Sequence, residues 1–209
     1  LNFEKEMLGF YITGHPLAKY EKLLREYSTA SSHKLKSLGD GTKVRFGGFI
    51  NKVKHTVTKR TGEKMAIMMM EDLDGTVEVL VFPSSYKNVQ KFVRPNFAAF
   101  VDGKLNLRDE VPKIIVEGIV PIEEVRKRFT RSVTVDIVSQ AKEDDIFQRL
   151  KELFKRYKGD TPVYLNVSTK KNGSYRVLID KSLFINPTDE MIQELEELVS
   201  RENIKFAKV

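Results

Sequence analysis

Between Val44 and Val120 five β-type runs and one short helical stripe follow one another in an order that few folds accommodate. The first run, Val44 to Val57, is long and contains Gly47-Gly48. Paired glycines inside a strand mark a bulge or a sharp coil, which the corner of a barrel requires. A hairpin loop, Thr58 to Glu63, holds Arg60-Thr61-Gly62, and Met65 to Asp72 is the second run. Asp74-Gly75 is a tight-turn signal, after which Val77, Val79 and Val81 alternate in a third strand. Pro83 ends that strand, and Tyr86, Val89 and Phe92 or Val93 recur at helical spacing. Phe97 to Leu107 and Lys113 to Val120 supply the last two strands. The order β-β-β-α-β-β over 77 residues is the plan of an OB-fold, a five-stranded barrel with a helix between strands three and four. Another small barrel or a sandwich is the alternative.

The flanks read differently. Phe3, Met7, Phe10 and Tyr11 have helical spacing, and Gly14-His15-Pro16 stops that helix. Pro16 opens a second, with Leu17, Tyr20, Leu23, Leu24 and Tyr27 as its apolar stripe, and Ser28 to Ser32 is a polar linker. After a short helix or linker over 121–131, Val133 to Val138 alternates as a strand, and Ile146, Leu150, Leu153, Phe154 and Tyr157 fit one helix face. Val163 to Ser168 and Tyr175 to Asp180 form a hairpin through Asn172-Gly173. A helix opening at Asn186-Pro187 and a last strand around Ile204, Phe206 and Val209 complete a β-α-β-β-α-β order. The expected fold class is therefore α+β: a short helical N-terminal segment and linker (1–32), a five-stranded OB-fold β-barrel (33–120), and a small βαββαβ, ferredoxin-like α/β sandwich (121–209).

Composition excludes several functions. The 209 residues contain no Cys, which removes disulfides, cysteine zinc sites and thiol nucleophiles and suits a cytoplasmic protein. No segment approaches the roughly 18 to 20 apolar residues that span a bilayer. A start at Leu1, with Glu4 and Glu6 following, is no signal peptide and reads as a piece of a longer chain. Glu71, Asp72 and Asp74 are a carboxylate cluster, but acids at a strand end beside a turn glycine are ordinary. His15, His33 and His55 lie in unrelated contexts, and no phosphate-cradling glycine loop is present. No catalytic residue, metal ligand or cofactor site is expected.

The charge is focused. Residues 43–64 hold Lys43, Arg45, Lys52, Lys54, Lys59, Arg60 and Lys64 against the single acid Glu63. Residues 121–209 carry 17 basic and 15 acidic side chains, nearly neutral. A concentrated cationic stretch attracts an anion. In an OB-fold the ligand groove crosses strands two and three, between the loop joining strands one and two and the loop joining strands four and five. The first loop brings Lys59, Arg60 and Lys64, the second Arg108 and Lys113, so both arms read as basic. Arg45, Lys52, Lys54 and Lys104 add charge from the strands, and Phe82 and Tyr86 are candidates to stack bases, although Phe82 also suits packing between barrel and helix. The run Met68-Met69-Met70 reads as barrel wall rather than binding surface. Single-stranded nucleic acid is the expected ligand of these eleven residues.

The run Glu4-Lys5-Glu6-Met7-Leu8-Gly9-Phe10-Tyr11-Ile12-Thr13-Gly14-His15-Pro16-Leu17 resembles a signature in the C-terminal third of the bacterial replicative DNA polymerase III alpha-subunit family. Gly47-Gly48-Phe49-Ile50, Thr58-Lys59-Arg60-Thr61-Gly62, Met65-Ala66, Glu71-Asp72-Leu73-Asp74-Gly75 and Val79-Leu80-Val81-Phe82-Pro83 are similar to that family as well. The resemblance implies a non-catalytic region downstream of the polymerase core. Its OB domain would bind single-stranded DNA template, and its terminal domain would dock the clamp-loader tau subunit. The family's sliding-clamp motif is not found, because Gln90, Gln140, Gln148 and Gln193 lack the apolar pair that follows it, so clamp binding stays open. Two other readings remain open at this point: a protein-interaction scaffold whose barrel no longer binds nucleic acid, and an RNA-binding OB protein of the anticodon-binding kind.

Overall fold

The computed structural model describes residues 17–138, 143–169 and 173–209. The first predicted helix, His15 and Asn172 of the predicted hairpin turn lie outside these residues. The chain divides into two units, the first ending at Ile122 and the second beginning at Glu123.

The first unit is a closed barrel of β1 (Lys43–Val57), β2 (Lys64–Glu71), β3 (Thr76–Val81), β4 (Phe97–Asn106) and β5 (Lys113–Pro121), hydrogen-bonded in the order β1-β2-β3-β5-β4. Long β1 serves twice: its N-terminal half pairs with β4 and its C-terminal half with β2. Phe46, Ile50, Met68, Met70, Val79 and Ile114 fill the interior. Asp72 sets the β2–β3 turn, its Oδ1 accepting from the N–H groups of Asp74 and Gly75 and from the Ser32 hydroxyl, which is an ordinary turn role for a carboxylate.

A short helix, α1 (Glu21–Tyr27), begins after a 3-10 turn at Ala18–Tyr20 and buries Leu23, Leu24 and Tyr27. It lies on the β1–β4 flank and accounts for Gly47, where a Cβ would stand 2.6 Å from Leu24 Cδ2 and 2.7 Å from the Phe100 ring. Gly48 answers a different need, since its Cβ would meet the Glu71 carbonyl oxygen at 2.7 Å where β1 coils across β2. The polar linker is not free of the barrel: Thr29 N–H donates to the Arg45 carbonyl, and Arg45 N–H donates to Thr29 Oγ1. Helix α2 (Pro83–Val89) falls between β3 and β4, the OB position.

One irregularity of β1 governs the site. Ile50 pairs with Met70 and Lys52 with Met69, so Asn51 is an extra residue, a bulge. Its Nδ2 donates to Glu71 Oε2. Ile50 points into the barrel, and beyond the bulge Val53 and His55 keep the inward phase while Lys52, Lys54 and Thr56 face out.

The second unit holds α3 (Val125–Phe129), β6 (Thr130–Val138), α4 (Glu143–Arg156), β7 (Lys158–Thr161), β8 (Val163–Thr169), β9 (Gly173–Leu178), α5 (Asp189–Val199) and β10 (Ile204–Lys208). The expected βαββαβ order is present, with β7 added as a short strand bridged to Ile185. The helix read from Asn186-Pro187 opens instead at Asp189, with Thr188 as N-cap accepting from Met191 N–H. The sheet order is β10-β6-β8-β9, with β6 and β8 parallel and directly paired. This departs from the ferredoxin-like arrangement, in which the two strands joined by a crossover helix are split by a third. Alternation says which segments are strands but not which strand each one neighbours. Val133, Val135, Leu150, Leu153, Phe154 and Leu195 form this unit's core. Arg126 is buried, its Nε donating to Asp189 Oδ1 at 2.7 Å and its guanidinium lying 5.6 Å from the Phe206 ring. Among the described residues, no helix is long and apolar enough to cross a membrane.

Candidate nucleic-acid interface

Cross-strand pairing sorts the predicted residues by face. Partners in an antiparallel pair share a side, and successive residues alternate. The outward row nearest the β4–β5 loop is Lys52, Met69, Glu78 and Lys113; the next is Lys54, Ile67, Leu80 and Ile115. Thr56 and Met65 follow, beside the β1–β2 loop. Met65, Ile67, Met69, Leu80 and Ile115 are each half-buried and stand apart from the barrel's interior core. Strands two and three therefore present an apolar strip to the outside, with Lys52 and Lys54 along its β1 border. The methionine run splits accordingly: Met68 and Met70 are barrel wall, and Met69 belongs to the outer strip.

At the loop end of this strip lies a cleft of about 520 Å³, within the range of small-molecule pockets. Lys59, Arg60, Glu63, Met65, Phe82 and Ser84 are among the residues that line it. Phe82 thus meets the loop cations. Glu63, the one acid of the stretch, accepts from Thr61 Oγ1, which is also 2.6 Å from Thr58 Oγ1. Among the described residues Lys52, Lys54, Lys59, Arg60 and Lys64 form no ion pair.

Other predicted residues are placed elsewhere. Arg45 lies on the β1–β4 flank, beside the Thr29 linker, its Nε donating to Asp102 Oδ1 at 2.8 Å. Lys104, on β4, pairs with Glu117 at 3.0 Å. Lys113 pairs with Asp109 at 2.6 Å and Glu78 at 3.2 Å, and these bonds hold its amine above the usual lysine pKa, Asp109 contributing most. Asp109 and Glu110 balance Arg108 and Lys113, so the β4–β5 arm, expected to be basic, is neutral. Arg108 is exposed, and its side chain has no ion pair among the described residues. Lys64 pairs with Val57, one step out of phase with Lys54, and faces the opposite side of the β1–β2 ribbon. Tyr86 is away from the cleft: its hydroxyl is 3.2 Å from His55 Nδ1 at the barrel end, with the two rings edge to face.

The two loops flank the same outer face from opposite ends. Three residues of β3 separate Glu78, level with Lys113, from Phe82 at the cleft, four steps or about 13 Å at strand spacing. The groove's apolar floor escaped sequence reasoning. Its signal was there in Met65-Ala66-Ile67-Met68-Met69-Met70 and Val79-Leu80-Val81, where both phases of a surface strand are apolar.

Residues 44–122 match the family described as OB-fold nucleic acid binding domain. The chain as a whole is similar to the alpha subunit of DNA polymerase III. It is 27% identical over 204 residues to the alpha subunit of Bacillus subtilis, 28% over 209 to that of Borreliella burgdorferi, and 24% over 212 to that of Escherichia coli. These alignments cover 98%, 98% and 99% of this chain, and it spans 18% of the length of each of these alpha subunits. Among solved structures, the E. coli hypothetical protein ygiW covers 46% of the chain and 91% of its own at 21% identity and a TM-score of 0.35. The S. cerevisiae mitochondrial single-stranded DNA binding protein Rim1 covers 40% and 95%, at 14% and 0.32. Likenesses at that level add nothing to the fold seen directly in the barrel.

Proposed function

We propose that this chain is a non-catalytic, cytoplasmic part of a replicative DNA polymerase III alpha subunit, and that its barrel binds single-stranded DNA template across the outer face of β2 and β3. One observation carries the reading. Among the described residues Lys52 and Lys54, along one border of a half-buried, outward-facing apolar strip, and Lys59 and Arg60, in the cleft where it ends at Phe82, stand without acid ion-pair partners. Cations on one side for phosphates, and flat or apolar surface beside them for bases, is what an unpaired strand needs. The similarity to alpha subunits over nearly the whole chain supports the replicative setting. Arg108 contributes from the far loop, while Arg45, Lys104 and Lys113 serve the barrel through their carboxylate partners. Residues 123–209 dock a protein, the clamp-loader tau subunit, a reading supported by that similarity and by the unit's near-neutral charge.

Hydrogen exchange with and without oligonucleotide tests the barrel assignment. Protection is expected over 52–69 and 80–84, with little change over 43–46 and 97–104. Protection nowhere refutes the reading and leaves the scaffold alternative. Stronger protection by RNA than by DNA of the same sequence would make the ligand RNA, since the 2′-OH is what separates the two.

A further inference from the structure

We propose that the face of the barrel formed by α2 and its exit into β4 is a second phosphate-binding surface, which takes the backbone of the single strand as it leaves the β1–β2 cleft. The proposal rests on the reading above and extends the strand's path beyond it. From Glu78 to Asp102 there is no acidic residue, and Lys87, Lys91 and Arg94 all fall in that interval. Ser84 lines the cleft. Lys87 follows it by three residues, the spacing that shares one helix face, and Lys91 and Arg94 come just past the helix's end, Lys91 in the 3-10 turn Gln90–Phe92. All three are exposed, so a series of cations runs from the cleft along the helix and past its end toward β4.

The series ends on a pair of stacked phenylalanines. Lys91 Nζ lies 4.7 Å from the Phe92 ring centroid, Phe92 stacks on Phe97 at 5.9 Å with planes 9° apart, and the Arg94 guanidinium lies 4.7 Å from Phe97. Aromatic faces hold these cations in place without neutralising them. Among the described residues none of the three has an ion pair. Such a surface offers charge but no open groove for bases, and therefore suits a phosphodiester backbone rather than base readout.

The test compares labelled DNA oligonucleotides of about 6 and about 16 nucleotides, both within the site sizes of single OB folds. Anisotropy titrations against salt are run on the whole chain. Wild type should give a steeper slope with the longer strand, by about −2 for three added contacts. Lys87→Gln/Lys91→Gln/Arg94→Gln should bind the short strand as wild type does and lose that increment. Because Lys91 and Arg94 pack on phenylalanines, Lys87→Glu at an exposed position is the second variant, expected to weaken only the longer strand. Melting curves accompany both. A variant that keeps the increment, or that weakens both lengths equally, overturns the proposal while the binding reading stands. Wild type that binds neither strand sinks the binding reading itself.

Discussion

Replacing Lys59 and Arg60 together by Ala removes the two loop cations of the cleft and leaves Lys52 and Lys54 on the strip. Single strands lose affinity with salt at about −0.7 in logarithmic slope per neutralised phosphate, so four contacts give about −2.8 and two give about −1.4. Between about 50 and 200 mM salt, wild type should then weaken about fifty-fold and the double variant about sevenfold. A strand of about 6 nucleotides confines the measurement to the outer face. The melting temperature should not move, because exposed loop charges add little to stability. Lys151→Ala/Lys155→Ala, on the exposed side of α4, removes the same charge from the other unit. A slope unchanged by the loop substitution, or an equal flattening by the α4 pair, would show that binding follows net charge and not the arrangement around the cleft.

Three further outcomes follow from particular contacts. Phe82→Leu keeps apolar bulk where β3 meets α2 but removes a flat face, and should weaken the strand by about 1–3 kcal/mol, read by the same titration, with little loss of stability. Gly48→Ala drives a methyl against the Glu71 backbone carbonyl and should cost about 1–3 kcal/mol in chemical denaturation, whereas Gly118→Ala, with nothing within 4 Å of its Cβ, should be neutral or slightly stabilising. Asp136 is held below its ordinary value of 3.8, first by Lys205 and then by Asn166. A carboxylate depressed in the folded state stabilises the fold above its unfolded pKa, and that contribution disappears as pH falls through the folded value. Asp136→Asn should therefore lower stability at neutral pH by roughly 0.5–1 kcal/mol and flatten the acid limb of a denaturation series below about pH 5.

Local patterns carried the barrel into view. Alternation at Val77, Val79 and Val81, the Asp74-Gly75 turn and the helical stripe after Pro83 each depend on residues a few positions apart, and such signals survive in a bare sequence. The fate of individual cations does not. Arg45 meets Asp102 because β1 and β4 are neighbours, Lys104 meets Glu117 across β4 and β5, and Lys113 reaches Glu78 through the parallel pairing of β3 with β5. Each of those pairs is made by strand registration between distant segments, so Arg45 and Lys59 look the same in the sequence and differ only once folded. Asp109 and Glu110 were visible beside Arg108, and their neutralising effect was legible without any structure. The sheet order of the second unit was not, since the same succession of strands and helices serves more than one arrangement.

The extra residue in β1 works as a phase shifter. Strand side chains repeat every two residues, so if Asn51 took a regular place opposite Met69 instead of bulging, the composition and net charge would be unchanged, yet Lys52 and Lys54 would turn toward the hydrophobic interior and Val53 would turn outward. The outward polarity of this barrel wall thus rests on that one bulge. Among proteins of this shape, whether the strand bulges or pairs regularly at that point would separate those that grip a polyanion from those that do not more sharply than any tally of lysines.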